Sequence, residues 1–137
     1  MNRDHTTGFY GYKNTQAVVL FAENKGWTLK DAFPAVYWVT DNKEGYEHSH
    51  PAPTNSSGWF LPSVVQCRYW QNNRDVLLNS VRKATGDNSY RWKSWYWSSS
   101  EANFESKNYA WSADSGYGDV IEDRKDNRSC VRAWLAF

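Results

Sequence analysis

The amino-acid sequence predicts an α+β fold, and three features of its 137 residues support this expectation. An apolar run near the N-terminus, residues 17–22, has the length and composition of a strand. Two segments in the middle, residues 61–69 and 75–84, repeat apolar residues at helical spacing. After residue 87, short apolar stretches alternate with turn-forming residues, as in antiparallel strands. We therefore expect residues 1–137 to form a single domain with its own hydrophobic core.

The N-terminal half is expected to contain one strand, one helix and one long loop. Residues 16–22 are rich in Val, Leu and Phe, which indicates a buried strand. Residues 26–28 end this strand, and Thr28 can cap a helix that begins one residue later. Pro34 interrupts that helix, because a proline inside a helix removes a backbone donor. Residues 41–57 carry Asn, Gly, His, Pro and Ser without periodicity, so we expect a loop there.

Two helices are expected in the middle of the chain. The first opens with residues 58–63, because Pro62 suits a first helical turn, where its missing N–H is not needed. This helix ends at residues 72–73, and its buried face is expected to carry Leu61, Val64, Val65 and Tyr69. The second helix covers residues 75–84, with Gly86 just past its end. Its inward residues are expected to be Leu77, Leu78 and Val81.

The C-terminal third is expected to form a small antiparallel sheet. Loops are predicted at residues 101–108 and 123–129. The candidate strands are residues 96–99, 109–113, 119–122 and 130–136. Since a buried strand is predicted near each end of the chain, we expect the first strand to pair with the last.

Composition favours recognition over nucleic-acid or membrane binding. The formal net charge is +1 and the 16 basic residues are spread along the chain, whereas a nucleic-acid interface needs a clustered basic face. Aromatic residues make up 18% of the chain, with nine Trp and nine Tyr, and these side chains give rigid contact area at low entropic cost. The longest apolar run, residues 17–22, is too short to cross a bilayer, so no membrane insertion is expected.

The opening residues and the two cysteines leave alternatives open. Residues 1–5 lead into no apolar stretch of signal-peptide length, so we expect a protein released without a signal or a domain of a longer exported protein. Cys67 and Cys130 each lie in an apolar pattern, which favours free thiols, although a single disulfide is also compatible with the sequence.

The C-terminal half resembles a known family through a set of regularly placed anchor residues. One anchor is the Tyr96-Trp97-Ser98-Ser99-Ser100-Glu101 run, which is specific only in combination with the others. The other anchors are residues 58–63, Ala110-Trp111, Gly118-Asp119-Val120, Lys125, Val131-Arg132-Ala133 and Leu135-Ala136-Phe137. This set is similar to the C-type-lectin-like domains of bacterial surface proteins and phage receptor binders, and above all to the variable proteins of diversity-generating retroelements.

The resemblance implies a C-type-lectin-like fold with two or three helices, a small antiparallel sheet and paired terminal strands. In that family, error-prone reverse transcription rewrites codons near the C-terminus, and the altered side chains bind a ligand that is usually a protein. The variable binding region would cover about residues 96–137. The ligand-binding candidates carried onto this chain are Ala102, Phe104, Ser106, Asn108, Tyr109, Trp111, Ser112, Asp114, Tyr117, Asp119, Glu122, Arg124, Asp126, Asn127 and Arg128.

A second interpretation is a fixed carbohydrate-binding or adhesin module of a bacterial surface protein, since exposed Trp and Tyr also stack on sugar rings. Either way the expected partner is a protein or glycan ligand on a cell surface, and the expected location is a cell surface or a virion. Tyr96-Trp97 and residues 131–137 are expected to lie in the core.

Other chemistries are weakly supported by the sequence. The Glu-Pro-Asn, Gln-Pro-Asp and Trp-Asn-Asp motifs of calcium-dependent sugar binders do not occur. His48 and His50 are spaced to share a transition metal but lack a third ligand in the sequence. Neither Cys67 nor Cys130 has an evident acidic or histidine partner, as a catalytic cysteine requires. We therefore expect no metal, no cofactor and no catalytic residues.

Overall fold

A computed structural model describes residues 10–102 and 107–137. Within these residues the helices come first and the strands follow. This separation of helices from strands along the chain is typical of an α+β fold. The helices are α1 (Gly11–Lys25), α2 (Leu29–Ala32), α3 (Pro34–Thr40), α4 (Tyr46–Ser49), α5 (Val64–Asn72) and α6 (Arg74–Thr85). The strands are β1 (Trp95–Ala102), β2 (Tyr109–Asp114) and β3 (Val120–Arg124), which form one antiparallel sheet in the order β1-β2-β3. The predicted α+β class is therefore confirmed.

The apolar run near the N-terminus is part of a helix, so the predicted strand at residues 16–22 is wrong. The run is amphipathic with a helical period, because Val18 and Ala22 are buried while Leu20 and Phe21 are exposed. Gly26 ends α1 with a φ of 65°, a left-handed conformation that glycine adopts without strain. Because the first element is a helix, the expected pairing of terminal strands does not occur.

The proline that was expected to interrupt a helix begins one instead. Pro34 is the first residue of α3, where its missing N–H costs no hydrogen bond. Thr28 stands at the N-cap of the short helix α2, although its side chain makes no cap hydrogen bond. The expected loop at residues 41–57 is irregular except for the single turn of α4.

Helix α5 begins later than the sequence predicts and buries a different face. Ser63 caps it, accepting from the Gln66 N–H while the Gln66 side chain accepts from the Ser63 N–H, so Pro62 lies before the helix and not in its first turn. Tyr69 is 57% exposed, contrary to expectation. The buried positions are Val64, Gln66, Cys67, Trp70 and Gln71. Helix α6 and its end at Gly86 are confirmed.

The three-serine run in β1 fixes the helices to the sheet. A register shift between Trp97 and Glu101 makes residues 98–100 bulge from the ladder. The Ser99 hydroxyl accepts from the Asn14 side chain of α1 at 3.3 Å, and the Ser100 hydroxyl accepts from the first N–H of α5 at 3.0 Å. The family resemblance marks this run as an anchor of the scaffold, and its buried hydrogen bonds give that role a physical basis.

The last segment joins its neighbours through isolated bridges and hydrogen bonds and not through a continuous ladder, so the predicted strand at residues 130–136 is not formed. Cys130 bridges Tyr96 of β1, and Trp134 bridges Phe60. Val131 and Ala133 pack on the main core cluster of Val18, Val36, Val39 and Leu61. Residues 131–135 are only half-buried and residues 136–137 are exposed, Phe137 at 84%, so the expectation that residues 131–137 lie in the core is wrong for the segment as a whole.

Candidate functional site on the β2–β3 hairpin

The strand register places two aromatic residues beside two charged residues on one face of the hairpin. Tyr109 pairs with Arg124, and Trp111 pairs with Glu122, so all four side chains project from the same side. The two aromatic residues are half-buried and the two charged residues are exposed. The result is a stripe that offers apolar contact area next to charged groups, which is the combination that recognition surfaces use.

The turn between β2 and β3 accepts hydrogen bonds from α5 and carries one exposed aromatic residue. The Gln71 amide of α5 donates to the Asp114 carbonyl at 2.7 Å and to the Asp119 carbonyl at 2.8 Å. The buried Asp114 carboxylate accepts from the Tyr117 N–H at 2.6 Å. The Tyr117 side chain is nevertheless 92% exposed. An aromatic ring is therefore displayed on a backbone that is already ordered.

Two further features fix the same turn. Gly118 has a φ of 82°, in the left-handed region that a residue with a Cβ adopts only with strain. The Arg74 guanidinium of α6 donates to the Ser115 carbonyl at 3.3 Å and also to the Gly116 carbonyl. The turn thus accepts hydrogen bonds from side chains of two helices and donates one to its own aspartate.

The far end of β3 carries a local ion pair that orders its loop. The Arg124 guanidinium donates to both carboxylate oxygens of Asp126, at 3.0 and 2.8 Å. Both side chains are more than half exposed, so the pair adds little to global stability. The Asn127 amide donates to the Asp123 carboxylate at 2.6 Å. We call the surface formed by these elements the hairpin face; it comprises Tyr109, Trp111, Tyr117, Asp119, Glu122, Arg124 and Asp126.

The structure separates the remaining binding candidates into three groups. Ala102, Ser112 and Asp114 are buried, with 1%, 0% and 6% exposure, so they support the sheet and do not reach a ligand on the surface. Asn108, Asn127 and Arg128 are exposed near the hairpin face. Phe104 and Ser106 lie outside the described residues.

The structure also contains a groove that was not foreseen from the sequence. It encloses about 510 Å³ between the α2–α3 region, β1 and the segment that follows β3. We call it the α3 groove. Its apolar walls include Val18, Phe33, Val36, Leu61, Trp97 and Val131, and its polar rim includes Glu101, Lys125, Asn127, Arg128 and Ser129. These residues come from distant parts of the chain, so no local motif could have indicated the groove.

The residues considered for metal binding or catalysis are engaged in other contacts. The Nδ1 atom of His48 lies 3.2 Å from the Asn42 carbonyl oxygen, and the His50 ring stacks on Tyr46 with centroids 4.2 Å apart. Among the residues that the structure describes, no three His, Cys, Asp or Glu side chains are grouped as metal ligands. Both cysteines are free, and burial raises the pKa of the Cys67 thiol to about 12, which disfavours a reactive thiolate.

No helix within residues 10–102 and 107–137 is both long and apolar enough to cross a membrane.

Comparisons with known proteins point to bacterial fimbriae. No protein-family model matches the chain. A Bacteroides ovatus protein named "Putative fimbrium tip subunit Fim1C" is 28% identical over 105 residues, which is 74% of this chain and 18% of that protein. A crystal structure of a fimbrial protein from Bacteroides ovatus superposes with a TM-score of 0.62 and 19% identity, over 93% of this chain and 24% of that one. The chain thus spans about a fifth to a quarter of these relatives.

The similarities are to fimbrial proteins of one genus. The crystal structure shows that this chain shares its fold with part of a fimbrial protein, since the two superpose over almost the whole chain. At 19% identity, this likeness concerns the fold alone. Neither comparison supports a variable protein of a diversity-generating retroelement, and neither confirms a C-type-lectin-like fold. The adhesin interpretation agrees better with these findings than the retroelement interpretation does.

Proposed function

We propose that this chain is an adhesin-type binding module of a fimbrial surface protein, and that the hairpin face contacts the ligand. The carrying observation is the turn at Tyr117, which is ordered by Gln71 and Asp114 while its ring is 92% exposed. The similarity to a fimbrium tip subunit supports the placement on a cell surface. The ligand would be a protein or glycan displayed on another surface.

The geometry of the face suits binding for an energetic reason. The backbone of the turn is already ordered before a ligand arrives. Binding therefore does not have to order it, and this reduces the entropic cost of association. Tyr117 would supply an aromatic contact, while Glu122 and Arg124 would discriminate between ligands by charge. These groups offer stacking, hydrogen bonds and charge, which support recognition and not a chemical reaction.

The test is a binding screen of the isolated chain on protein and glycan arrays, with and without Tyr117→Ala. We expect a reproducible ligand whose affinity falls about tenfold or more in the variant, while the melting temperature stays within a few degrees because the ring makes few contacts within the protein. Trp27→Ala is the matched control, since Trp27 is also an exposed aromatic residue, at 52%, but lies beside α1. Equal losses from the two variants would contradict the proposal.

Diversification of the hairpin face is a finer hypothesis that rests on the sequence resemblance alone. It predicts nucleotide variation confined to codons between residues 96 and 137, next to a near-copy of that stretch and a reverse-transcriptase gene. Sequencing the locus across a population tests it directly. A uniform locus without a near-copy would leave a fixed adhesin module.

A further inference from the structure

We propose that the α3 groove binds an elongated apolar molecule that carries one anionic group, of which a fatty-acid carboxylate is the simplest example. This inference concerns a second site and does not rest on the function proposed for the hairpin face. Three properties of the groove lead to it: its volume, its apolar walls and the charge on its rim.

The groove has the size and depth of a small-molecule site. Its volume of about 510 Å³ lies within the range of roughly 300–1,000 Å³ that is usual for such sites. Val18, Val36 and Leu61 line it and also belong to the main core cluster, so the floor of the groove is the hydrophobic core itself. Trp97 adds an indole from β1 and is only 9% exposed. Because these four residues expose 9% or less, the apolar surface that a ligand would cover comes from less buried walls such as Phe33.

An aromatic residue at the mouth of the groove extends the apolar surface outward. Trp38 on α3 lines the groove and is 41% exposed. Its ring contacts Tyr46 at a centroid distance of 5.1 Å, which holds it in place. A ligand longer than the buried floor would therefore remain in contact with an ordered apolar group as it leaves the groove.

The rim of the groove favours an anion over a cation. The Glu101 carboxylate is already paired with the Lys125 ammonium at 2.6 Å, and Lys125 also donates to the Lys107 carbonyl at 2.7 Å. Arg128 is exposed, lines the groove and forms no ion pair within the described residues. The half-buried Ser129 follows it on the same rim.

The charge that remains available to a ligand is therefore the guanidinium of Arg128, whose planar fork matches a carboxylate. A ligand with an apolar body in the groove and a carboxylate at the rim would satisfy both parts of the site. A cationic amphiphile of the same length would meet the same walls but would be repelled at Arg128.

The experiment compares two amphiphiles of equal chain length by titration calorimetry, below their micelle concentrations. Dodecanoate is expected to bind, and dodecyltrimethylammonium is expected to bind about tenfold more weakly or not at all. Arg128→Glu should reverse this preference. Lys83→Glu makes the same change of charge on the exposed surface of α6 and should leave both affinities unchanged.

A second variant tests the location of the ligand. Ala32 is exposed and lines the groove, so Ala32→Trp should fill it and weaken dodecanoate binding while the circular-dichroism spectrum stays the same. Failure of dodecanoate to bind would overturn the proposal, as would equal binding of the two amphiphiles or equal effects of Arg128→Glu and Lys83→Glu. It would also be overturned if Ala32→Trp abolished a concentration-dependent dimer, because the groove would then receive a second copy of this chain.

Discussion

Gln71 is the residue through which α5 supports the hairpin face, and its replacement gives the most informative single test of the structure. Gln71 is 7% exposed, and its amide donates to the carbonyls of Asp114 and Asp119. Gln71→Met keeps the length of the side chain and removes both hydrogen bonds. Because the packing is nearly conserved, the change in the free energy of unfolding should report the loss of these two bonds.

The size of the change in unfolding free energy depends on the two carbonyl groups that lose a hydrogen bond. Each lost hydrogen bond is expected to cost about 0.5–1.5 kcal/mol. The Asp119 carbonyl keeps a hydrogen bond from the Asp114 N–H at 2.9 Å, which limits the loss at that end. We therefore expect a destabilisation of about 2 kcal/mol, equivalent to a fall in melting temperature of roughly 6–10 °C for a chain of this size.

The assay is urea unfolding followed by tryptophan fluorescence, together with hydrogen exchange of the turn amides. Gln71→Met should lower the unfolding midpoint without changing the slope of the transition, and should increase exchange at residues 115–118. Gln16→Met is the matched control, because Gln16 is exposed and its amide donates to the exposed Tyr12 hydroxyl. A loss for Gln71→Met that is no larger than the loss for this control would refute the supporting role of α5.

Three further predictions concern the scaffold. Gly11→Ala should destabilise the protein by about 1–3 kcal/mol in urea unfolding, because an added Cβ would lie 2.7 Å from the Leu61 carbonyl oxygen; an unchanged midpoint would contradict this close approach. Trp97→Ala should cost about 3–5 kcal/mol in the same assay, since Trp97 is buried at 9% exposure, and a loss below about 1 kcal/mol would argue against its place in the core. Cys67 should resist alkylation by iodoacetamide in the native protein at pH 8, because burial keeps its thiol protonated. The half-buried Cys130 should react first. Mass spectrometry of the modified peptides checks the order of reaction.

The helices and strands that sequence reasoning predicted well are those with clear boundaries. Helix α6 has apolar residues at helical spacing and Gly86 after its end, and both features are local. The strands of the sheet were also placed within a few residues, because turn-forming residues separate them. In contrast, α1 was mistaken for a strand, since a six-residue apolar run fits a strand as well as one face of a helix.

The residues of the hairpin face are among the candidates that the family resemblance placed on this chain; a local strand pattern did not indicate them, since burial does not alternate along β2. Tyr109, Tyr117 and Arg124 lie on or near the surface, as expected, although their role in binding stays a prediction. Ser112 and Asp114 could not be recognised as buried, because short polar side chains are usually exposed and the elements that cover them are distant in sequence. The α3 groove was beyond sequence reasoning, since its walls meet only after folding.

The central claim, that the hairpin face contacts a surface ligand, is tested most directly by photo-crosslinking from the turn. Tyr117 is replaced by p-benzoylphenylalanine, and the labelled chain is irradiated on intact bacterial and epithelial cells. The proposal predicts a discrete adduct with a cell-surface component from position 117, and none when the same probe replaces Trp27. Adducts of equal yield from both positions, or from position 27 alone, would contradict it.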